Sequence, residues 1–270
     1  MISVVIGSYN RRKFLKPTIE SVRAELINTP HEIIVIDGGS TDGTVGWLIK
    51  QKDIITIIQH NRGEWRGKSV KRKSWGYFMN LGFKSATGKY ICMLSDDCLV
   101  IPGAIQNGVK LFDRSLKKRD KVGAVAFYWR NWPKQKSYWV GLTFGNKMFV
   151  NHGLYLNSAL EQVDYADEDS YTFYHADGDI CLRLSEKGYI CIDSPNSYIE
   201  HYSHANVKVR KSNLAKQKED WDTYKKRWGR LGTSNKGNWV SKEFIDHANT
   251  VDRYWGRLGW AIKLVDKLKR

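Results

Sequence analysis

Proline, sulfur and long apolar runs are all scarce in this chain. Proline accounts for 5 of 270 residues and cysteine for 4. The four thiols, Cys92, Cys98, Cys181 and Cys191, stand apart with no C-x-x-C pair, so neither a zinc ribbon nor a disulfide framework is indicated and a reducing, cytoplasmic setting is expected. The longest uncharged apolar runs, such as Ile33 to Ile36 and Val122 to Trp129, are strand-length, far below the ~20 residues that cross a bilayer. Met1 to Gly7 enters a strand-like run at once, without a basic stretch and cleavable apolar segment, so no export signal is expected. There is no glycine/serine linker, internal repeat or low-complexity tract. Acidic residues are also few, 28 against 44 Lys and Arg, and the resulting +16 points to an anionic partner: nucleic acid, a phosphate-bearing small molecule or an anionic membrane surface.

What remains is a globular composition, 41% hydrophobic and 27% charged, long enough for one large core with at most a small appendage. The first half alternates β-rich runs with helical patterns, which predicts βαβ units and a mostly parallel sheet. Strands are expected at Ile2 to Ile6, Glu32 to Asp37, Asp53 to Gln59 and Lys89 to Ser95. Crossover helices are expected at Phe14 to Leu26 and Lys73 to Ala86, with Ser40-Thr41-Asp42 capping another that runs through Trp47 and Ile49. Shorter strands follow at Val122 to Trp129 and Ser137 to Phe144, then a helix from Ala176 to Lys187. Residues 211–270 read as a basic helical extension on a domain spanning 1–210. The segment Val150 to Asp169 reads as a loop, either one that orders over substrate or a plain connection.

In an open parallel sheet ligands bind beyond the carboxyl ends of the strands. Three strand ends carry chemistry there. Ser95-Asp96-Asp97 offers two adjacent carboxylates, which suit a shared divalent cation bridging phosphates; the alternative, a solvated turn or helix cap before Ile101-Pro102, is the commoner origin of such pairs. Asp37-Gly38-Gly39-Ser40-Thr41-Asp42 offers a carboxylate beside two glycines, fit for a base or ribose, or simply a capped turn. Gly7-Ser8-Tyr9-Asn10-Arg11-Arg12 offers an aromatic face, hydroxyls and two guanidinium groups suited to a base and phosphates, or is a plain strand-to-helix loop. Two other patterns mislead. Gly63-Glu64-Trp65-Arg66-Gly67-Lys68-Ser69 is one residue short of a phosphate loop. His201-Tyr202-Ser203-His204 places its histidines on opposite faces of an extended segment, with no paired cysteines beside them in sequence.

Taken in order, Ser8-Tyr9-Asn10, Ile36-Asp37-Gly38-Gly39-Ser40-Thr41-Asp42 and Ser95-Asp96-Asp97 resemble the family 2 inverting glycosyltransferases of the GT-A fold. Ala176-Asp177-Gly178-Asp179-Ile180-Cys181-Leu182-Arg183 looks like that family's Glu-Asp-x-Asp-Leu-x-x-Arg segment, Tyr198-Ile199-Glu200-His201 like its strand ending in histidine, and Asp222 to Gly229 like its closing Asp-x-x-x-Tyr/Phe-x-x-Lys-Trp-Gly segment. The resemblance covers roughly residues 1–229. It implies a GT-A fold with a nucleotide-sugar-binding half (1–100) and an acceptor-binding half (101–210). It further implies nucleotide contacts from Ser8, Tyr9, Asn10, Asp37, Asn80 and Asp96, the last toward ribose. Asp97 and His201 would hold Mn²⁺ or Mg²⁺, and Asp177 would be the catalytic base. Gly38 and Ala176 depart from the family's acidic residues. Phe78-Met79-Asn80-Leu81-Gly82 lacks the family's arginine, for which Arg66, Lys68, Lys71, Arg72 or Lys73 could substitute at the diphosphate.

The implied activity is a metal-dependent inverting hexosyltransferase, with a nucleotide-sugar donor, most often UDP-linked in the family, and a glycan or lipid-linked saccharide acceptor. The aromatics of Tyr128 to Trp132 and Tyr138-Trp139 offer sugar-stacking faces or core packing. The basic amphipathic stretch 251–270, with Tyr254, Leu258, Ile262, Val265 and Leu268 on one stripe, suits an anionic membrane, a homodimer mate or the domain itself. Charge alone also allows a nucleic-acid-binding protein, although no RNA- or DNA-reading motif is present. A nucleotidyltransferase would share the metal logic but lacks a glycine-rich triphosphate loop.

Overall fold

The computed structural model describes residues 1–61, 64–202, 207–232, 239–242 and 248–268. Gly63 of the phosphate-loop-like segment, His204 and the Lys269-Arg270 end lie outside the described residues, as does the side chain of Leu268. The elements run β1 (Ile2–Ser8), α1 (Arg12–Leu26), β2 (His31–Asp37), α2 (Thr44–Leu48), β3 (Ile54–Ile58), β4 (Glu64–Trp65), β5 (Lys68–Ser69), α3 (Trp75–Phe83), β6 (Tyr90–Ser95), β7 (Cys98–Val100) and α4 (Ala104–Lys117). The second half adds β8 (Val122–Asn131), β9 (Tyr138–Thr143), β10 (Lys147–Met148), β11 (Gly153–Leu156), α5 (Asn157–Glu161), α6 (Ala176–Glu186) and β12 (Ile190–His201). It closes with α7 (Val207–Leu214), α8 (Gln217–Trp228), β13 (Trp239–Lys242) and α9 (Ala248–Leu268).

The predicted α/β class holds. β3, β2, β1 and β6 are parallel neighbours in one sheet ordered β10-β9-β8-β11-β6-β1-β2-β3. The apolar runs of β1, β2 and β6 are buried on both faces, as parallel strands covered by helices must be, while β3 at the edge leaves Ile55 and Ile58 exposed. Leu15, Ile19, Val22 and Leu26 of α1 join Ile105 and Phe112 of α4 against one face. Phe78 and Phe83 of α3, Leu160 of α5 and Ile180 of α6 cover the other.

Two expectations need correction. Within the segment read as a substrate-covering loop, Gly153–Leu156 is instead a strand in the middle of the sheet, antiparallel to both β6 and β8. Gly153 sits at φ 154° with no room for a side chain against the Val125 carbonyl. The extension is not wholly helical either, since β13 pairs antiparallel with β9. β11, four residues long and buried on both faces, has no alternation to reveal it.

α9 packs on the domain by a face shifted from the expected stripe: Val251, Trp255 and Ile262 bury against Phe14, Leu99 and Trp132, Tyr254 and Leu258 are half-buried, and Val265 is exposed. Among the described residues, no helix is long and apolar enough to cross a membrane.

Candidate functional site

Parallel register brings the chemistry-bearing strand ends together. Gly7 pairs with Ser95 and Ser8 with Asp37, so the segments after β1, β2 and β6 emerge along one edge. Beyond that edge lies a cavity of about 420 Å³. Ser8, Tyr9, Asp96 and Asp97 line it from this side, while Asp177 and His201 line it from α6 and β12. Tyr9 packs its ring over Gly38, where a Cβ would stand 3.1 Å from it.

Asn10, Asp37 and Asn80 sit behind the wall. Asn10 Oδ1 accepts the Thr41 N–H at 2.7 Å, and the Asn10 N–H donates to Ser40 Oγ at 2.8 Å, tying the two glycine-bearing turns together. Asp37 is fully buried and accepts from the Gly39 and Ser40 N–H groups at 2.9 and 2.7 Å and from Ser40 Oγ at 2.6 Å. Burial pushes its carboxyl pKa up despite these donors. Asn80 donates to the Ala166 carbonyl at 2.9 Å and Glu168 Oε1 at 2.8 Å, and its Oδ1 accepts the Ala166 N–H, clamping the acidic segment onto α3.

Arg11, read from sequence as a phosphate ligand, turns inward. Its guanidinium lies 2.8 Å from Asp96 and 2.9 Å from Asp97. Burial, with Asp97 alongside, pushes the Asp96 carboxyl up to about 6, partly offset by Arg11. Asp97 goes the other way: against its burial, the Arg11 guanidinium holds it down at about 2. Of the basic stretch before α3, Arg72 and Lys73 reach the cavity wall.

Two carboxylates against one guanidinium leave an excess negative charge at a site where Asp97 Oδ1 is buried without a hydrogen-bond partner among the described residues. His201 Nε2 lies 3.3 Å from that oxygen, and His201 Nδ1 lies 3.0 Å from Asn131 Oδ1. In the tautomer whose Nδ1–H donates to Asn131, two lone pairs face each other at Asp97 and His201, an arrangement that suits a divalent cation. The donor set fits Mn²⁺ or Mg²⁺ on the carboxylate side. Behind it, Cys98, His152 and His201 bring their donor atoms within 4.8 Å of one another. His152 is fully buried, and burial pushes its pKa down to about 3, so it is neutral. Sequence spacing could not join Cys98 and His152 to His201, because the three come from separate strands and loops.

Across the cavity, α6 presents Asp177 in its first turn. Asp177 Oδ1 accepts the N–H of Gly178 at 2.9 Å and Oδ2 accepts from Asn151 Nδ2 at 3.2 Å. Burial is the leading cause that raises its pKa. Asp179, two residues on, faces the core instead of the cavity, fully buried and bound by Arg183 at 2.6 Å, Trp228 Nε1 at 2.8 Å and Tyr171 Oη at 3.0 Å. Asn151 and His175 also line the cavity, and neither carries a signal in the sequence beyond being near Asp177 or an aromatic run. Of the candidate stacking aromatics, Trp129 reaches the cavity. Tyr128 and Tyr138 are core residues bonded to Asp193 and Glu200, and Trp132 packs on Trp255.

The family model for glycosyl transferase family 2 matches residues 3–158. An uncharacterized glycosyltransferase of Nostoc sp. is 32% identical over 126 residues, 46% of this chain and 35% of that protein. A UDP-Glc:alpha-D-GlcNAc-diphosphoundecaprenol beta-1,3-glucosyltransferase of Escherichia coli is 26% identical over 157 residues, 58% of this chain and 55% of that one. The chain thus spans about a third to a half of the length of these curated relatives. Among solved structures, a mannosyltransferase from Pyrobaculum calidifontis in complex with GDP-Man and Mn²⁺ superimposes with a TM-score of 0.54 at 18% identity, over 74% of this chain and 56% of that one. It shares the fold.

Proposed function

Because this chain belongs to glycosyl transferase family 2, we propose that its cleft binds a nucleotide diphosphate sugar and transfers the sugar to an acceptor hydroxyl with inversion. The observation that carries this reading is that Asp97 and Asp177, from opposite sides of the fold, line one cavity. A relative named for UDP-Glc and a structural neighbour in complex with GDP-Man and Mn²⁺ support a nucleotide-sugar donor; UDP is the nucleotide we favour.

On this reading Ser8, Tyr9 and Asp96 contact the nucleoside, with Asn10, Asp37 and Asn80 shaping the turns behind them. Asp97 and His201 would hold Mn²⁺ or Mg²⁺, which when bound neutralises charge on the diphosphate. Asp177 accepts the proton of the acceptor hydroxyl. The acceptor oxygen forms its bond to the anomeric carbon from the face opposite the leaving group. The bond from that carbon to the diphosphate oxygen breaks, and its electron pair leaves with the diphosphate. The raised pKa of Asp177 makes it a stronger base than an exposed aspartate. A glycan or lipid-linked saccharide is the acceptor class we assign. The outer face of α9 is the part of the chain suited to an anionic membrane carrying such a lipid.

The test pairs binding with turnover. A thermal-shift panel of UDP-, GDP- and dTDP-sugars with and without Mn²⁺ should show stabilisation of wild type and of Asp177→Asn alike. Turnover in Asp177→Asn should fall by roughly 10² or more. The wild-type rate should rise with pH through the elevated Asp177 pKa, since the carboxylate form is the base, and the variant should lack that limb. A variant keeping more than about a tenth of kcat would remove Asp177 from this role.

A further inference from the structure

Behind Asp97 the sheet gathers three metal-binding side chains from distant parts of the chain. Cys98 opens β7 and His201 closes β12, and the two are direct partners in the antiparallel register of those strands. Residues opposite one another in this way carry their side chains on one face, with Cβ atoms about 4.5–5.5 Å apart. His152, just before β11, is anchored through its carbonyl, which accepts the Phe127 N–H of β8 at 2.8 Å. The Cys98 sulfur lies 3.8 Å from Nδ1 and 3.7 Å from Nε2 of the His152 ring. We propose that Cys98, His152 and His201, with Asp97 Oδ1 as the fourth donor, form a tetrahedral site for a thiophilic divalent cation, Zn²⁺ above all.

The spacing suits that ion. Zn²⁺ takes sulfur at about 2.3 Å and nitrogen or oxygen at about 2.0–2.2 Å, so the edges of its tetrahedron measure about 3.3–3.6 Å. His201 Nε2 and Asp97 Oδ1 already stand 3.3 Å apart. The sulfur and the two imidazoles offer donor atoms within 4.8 Å of one another, which leaves room at their centre for an ion onto which they close. The sulfur is nearly equidistant from both nitrogens of His152, so this ring turns about its Cβ–Cγ bond to aim one of them at the ion.

Two buried groups here are short of partners. Fully buried His152 finds only the Cys98 sulfur as a hydrogen-bond partner for its ring nitrogens among the described residues, and sulfur is a weak one. Asp97 gives Oδ2 to Arg11 at 2.9 Å, while its buried Oδ1 has no hydrogen-bond partner among the described residues. A cation between them satisfies both at once. The surroundings are those of a metal site. Asn131 Oδ1, 3.0 Å from His201 Nδ1, leaves Nε2 as the ligand nitrogen. Trp129 stands edge-on to the His152 and His201 rings, with centroids 5.7 and 5.4 Å away, and closes the site with an apolar shell. His201 and Asp97 also line the larger cavity, which gives the ion its way in.

The donor set selects the ion. At sulfur and imidazole ligands affinity rises from Mn²⁺ to Zn²⁺, and binding releases the Cys98 thiol proton to solvent. A hard cation on Asp97 and His201 needs neither Cys98 nor His152. Because Zn²⁺ takes both shared ligands, the two ions exclude each other, and Zn²⁺ withdraws Asp97 and His201 from the cavity. The site itself does not rest on the transferase reading.

The test uses metal alone. Co²⁺, which accepts the tetrahedral geometry of Zn²⁺, is titrated into the full chain after chelator treatment and under a phosphine reductant. A sulfur-to-cobalt charge-transfer band should appear in the near ultraviolet, and Zn²⁺ should remove it. Cys98→Ser should lose the band and Cys191→Ser should keep it. His152→Gln should weaken Zn²⁺ by at least about ten-fold, since disturbing even an outer contact of a metal site costs that much. Circular dichroism checks that each variant folds, and the wild-type titration needs no variant. No band in wild type, or an equal band in Cys98→Ser, overturns the site. Mn²⁺ and Zn²⁺ bound together, read from the paramagnetic resonance of Mn²⁺, would overturn the sharing of Asp97 and His201. Failure of Mn²⁺ to bind at all counts against the hard-cation site and leaves the cobalt result standing.

Discussion

At the scale of single residues, Arg11 decides the electrostatics of the cleft. One guanidinium against two buried carboxylates holds Asp97 ionised while Asp96 is pushed toward protonation. Burying like charges without a counter-ion is costly, and breaking such a cluster by removing one partner typically costs ~3–5 kcal/mol. Arg11→Met should therefore lower stability by about that amount. Added Mn²⁺ should recover part of the loss, since a divalent cation can supply the missing charge between the same oxygens. Thermal unfolding of both proteins with and without the ion checks this; a variant as stable as wild type, or indifferent to Mn²⁺, would mean the carboxylates do not depend on a shared cation.

Among the elements, α1 does most to hold the site in place. Thr18 Oγ1 donates to the Cys98 carbonyl at 2.7 Å, and Ser21 Oγ accepts the Val100 N–H at 3.1 Å, so the helix fixes the backbone on which Asp96 and Asp97 turn. Its last turn reaches α4 as well. Gly103, preceding α4, has no side chain to cap that helix, and Glu25 takes the role: its carboxylate accepts the Gly103 N–H at 2.6 Å and the Gln106 N–H at 3.1 Å. A buried pair of donors left unsatisfied costs ~1–3 kcal/mol. Glu25→Ala should show that loss in urea unfolding, and Glu25→Gln, which keeps one accepting oxygen, should lose less. Equal stability of Glu25→Ala and wild type would show that water replaces the cap.

For the molecule as a whole, the +16 charge and α9 belong together. With Val251, Trp255 and Ile262 buried in the domain, the helix turns Arg253, Arg257, Trp260 and Leu264 outward, and Trp260 is 68% exposed. A basic face with a solvent-facing indole matches the interfacial zone of an anionic bilayer, each cation near the surface contributing about 1 kcal/mol. Liposomes rich in phosphatidylglycerol should co-sediment the protein at low salt, neutral ones should not, and Trp260→Glu should release it. Equal sedimentation with both lipids, or no effect of Trp260→Glu, would dismiss a membrane role for this face.

The parallel half of the sheet was legible because its strands are apolar on both faces and its helices carry an apolar stripe; such patterns report burial wherever the partner lies. The carboxylates at 96 and 97 were legible because they stand where an apolar strand ends, whereas Asp177 was picked out by the resemblance of residues 176–183 to a family segment and not by its place at a helix start. Local pattern says nothing of which segments become neighbours. It could not place Gly153–Leu156 between β6 and β8, pair β13 with β9, or turn Arg11 from a phosphate ligand into the counter-ion of Asp96 and Asp97. Nor could it bring Trp221 of α8 to the far side of Asp177, or Cys98 and His152 behind His201. The sequence by itself determined which residues would be buried and where carboxylates would emerge. Only the tertiary structure decided what faces them, because cavities and ion pairs form between segments that local periodicity does not connect.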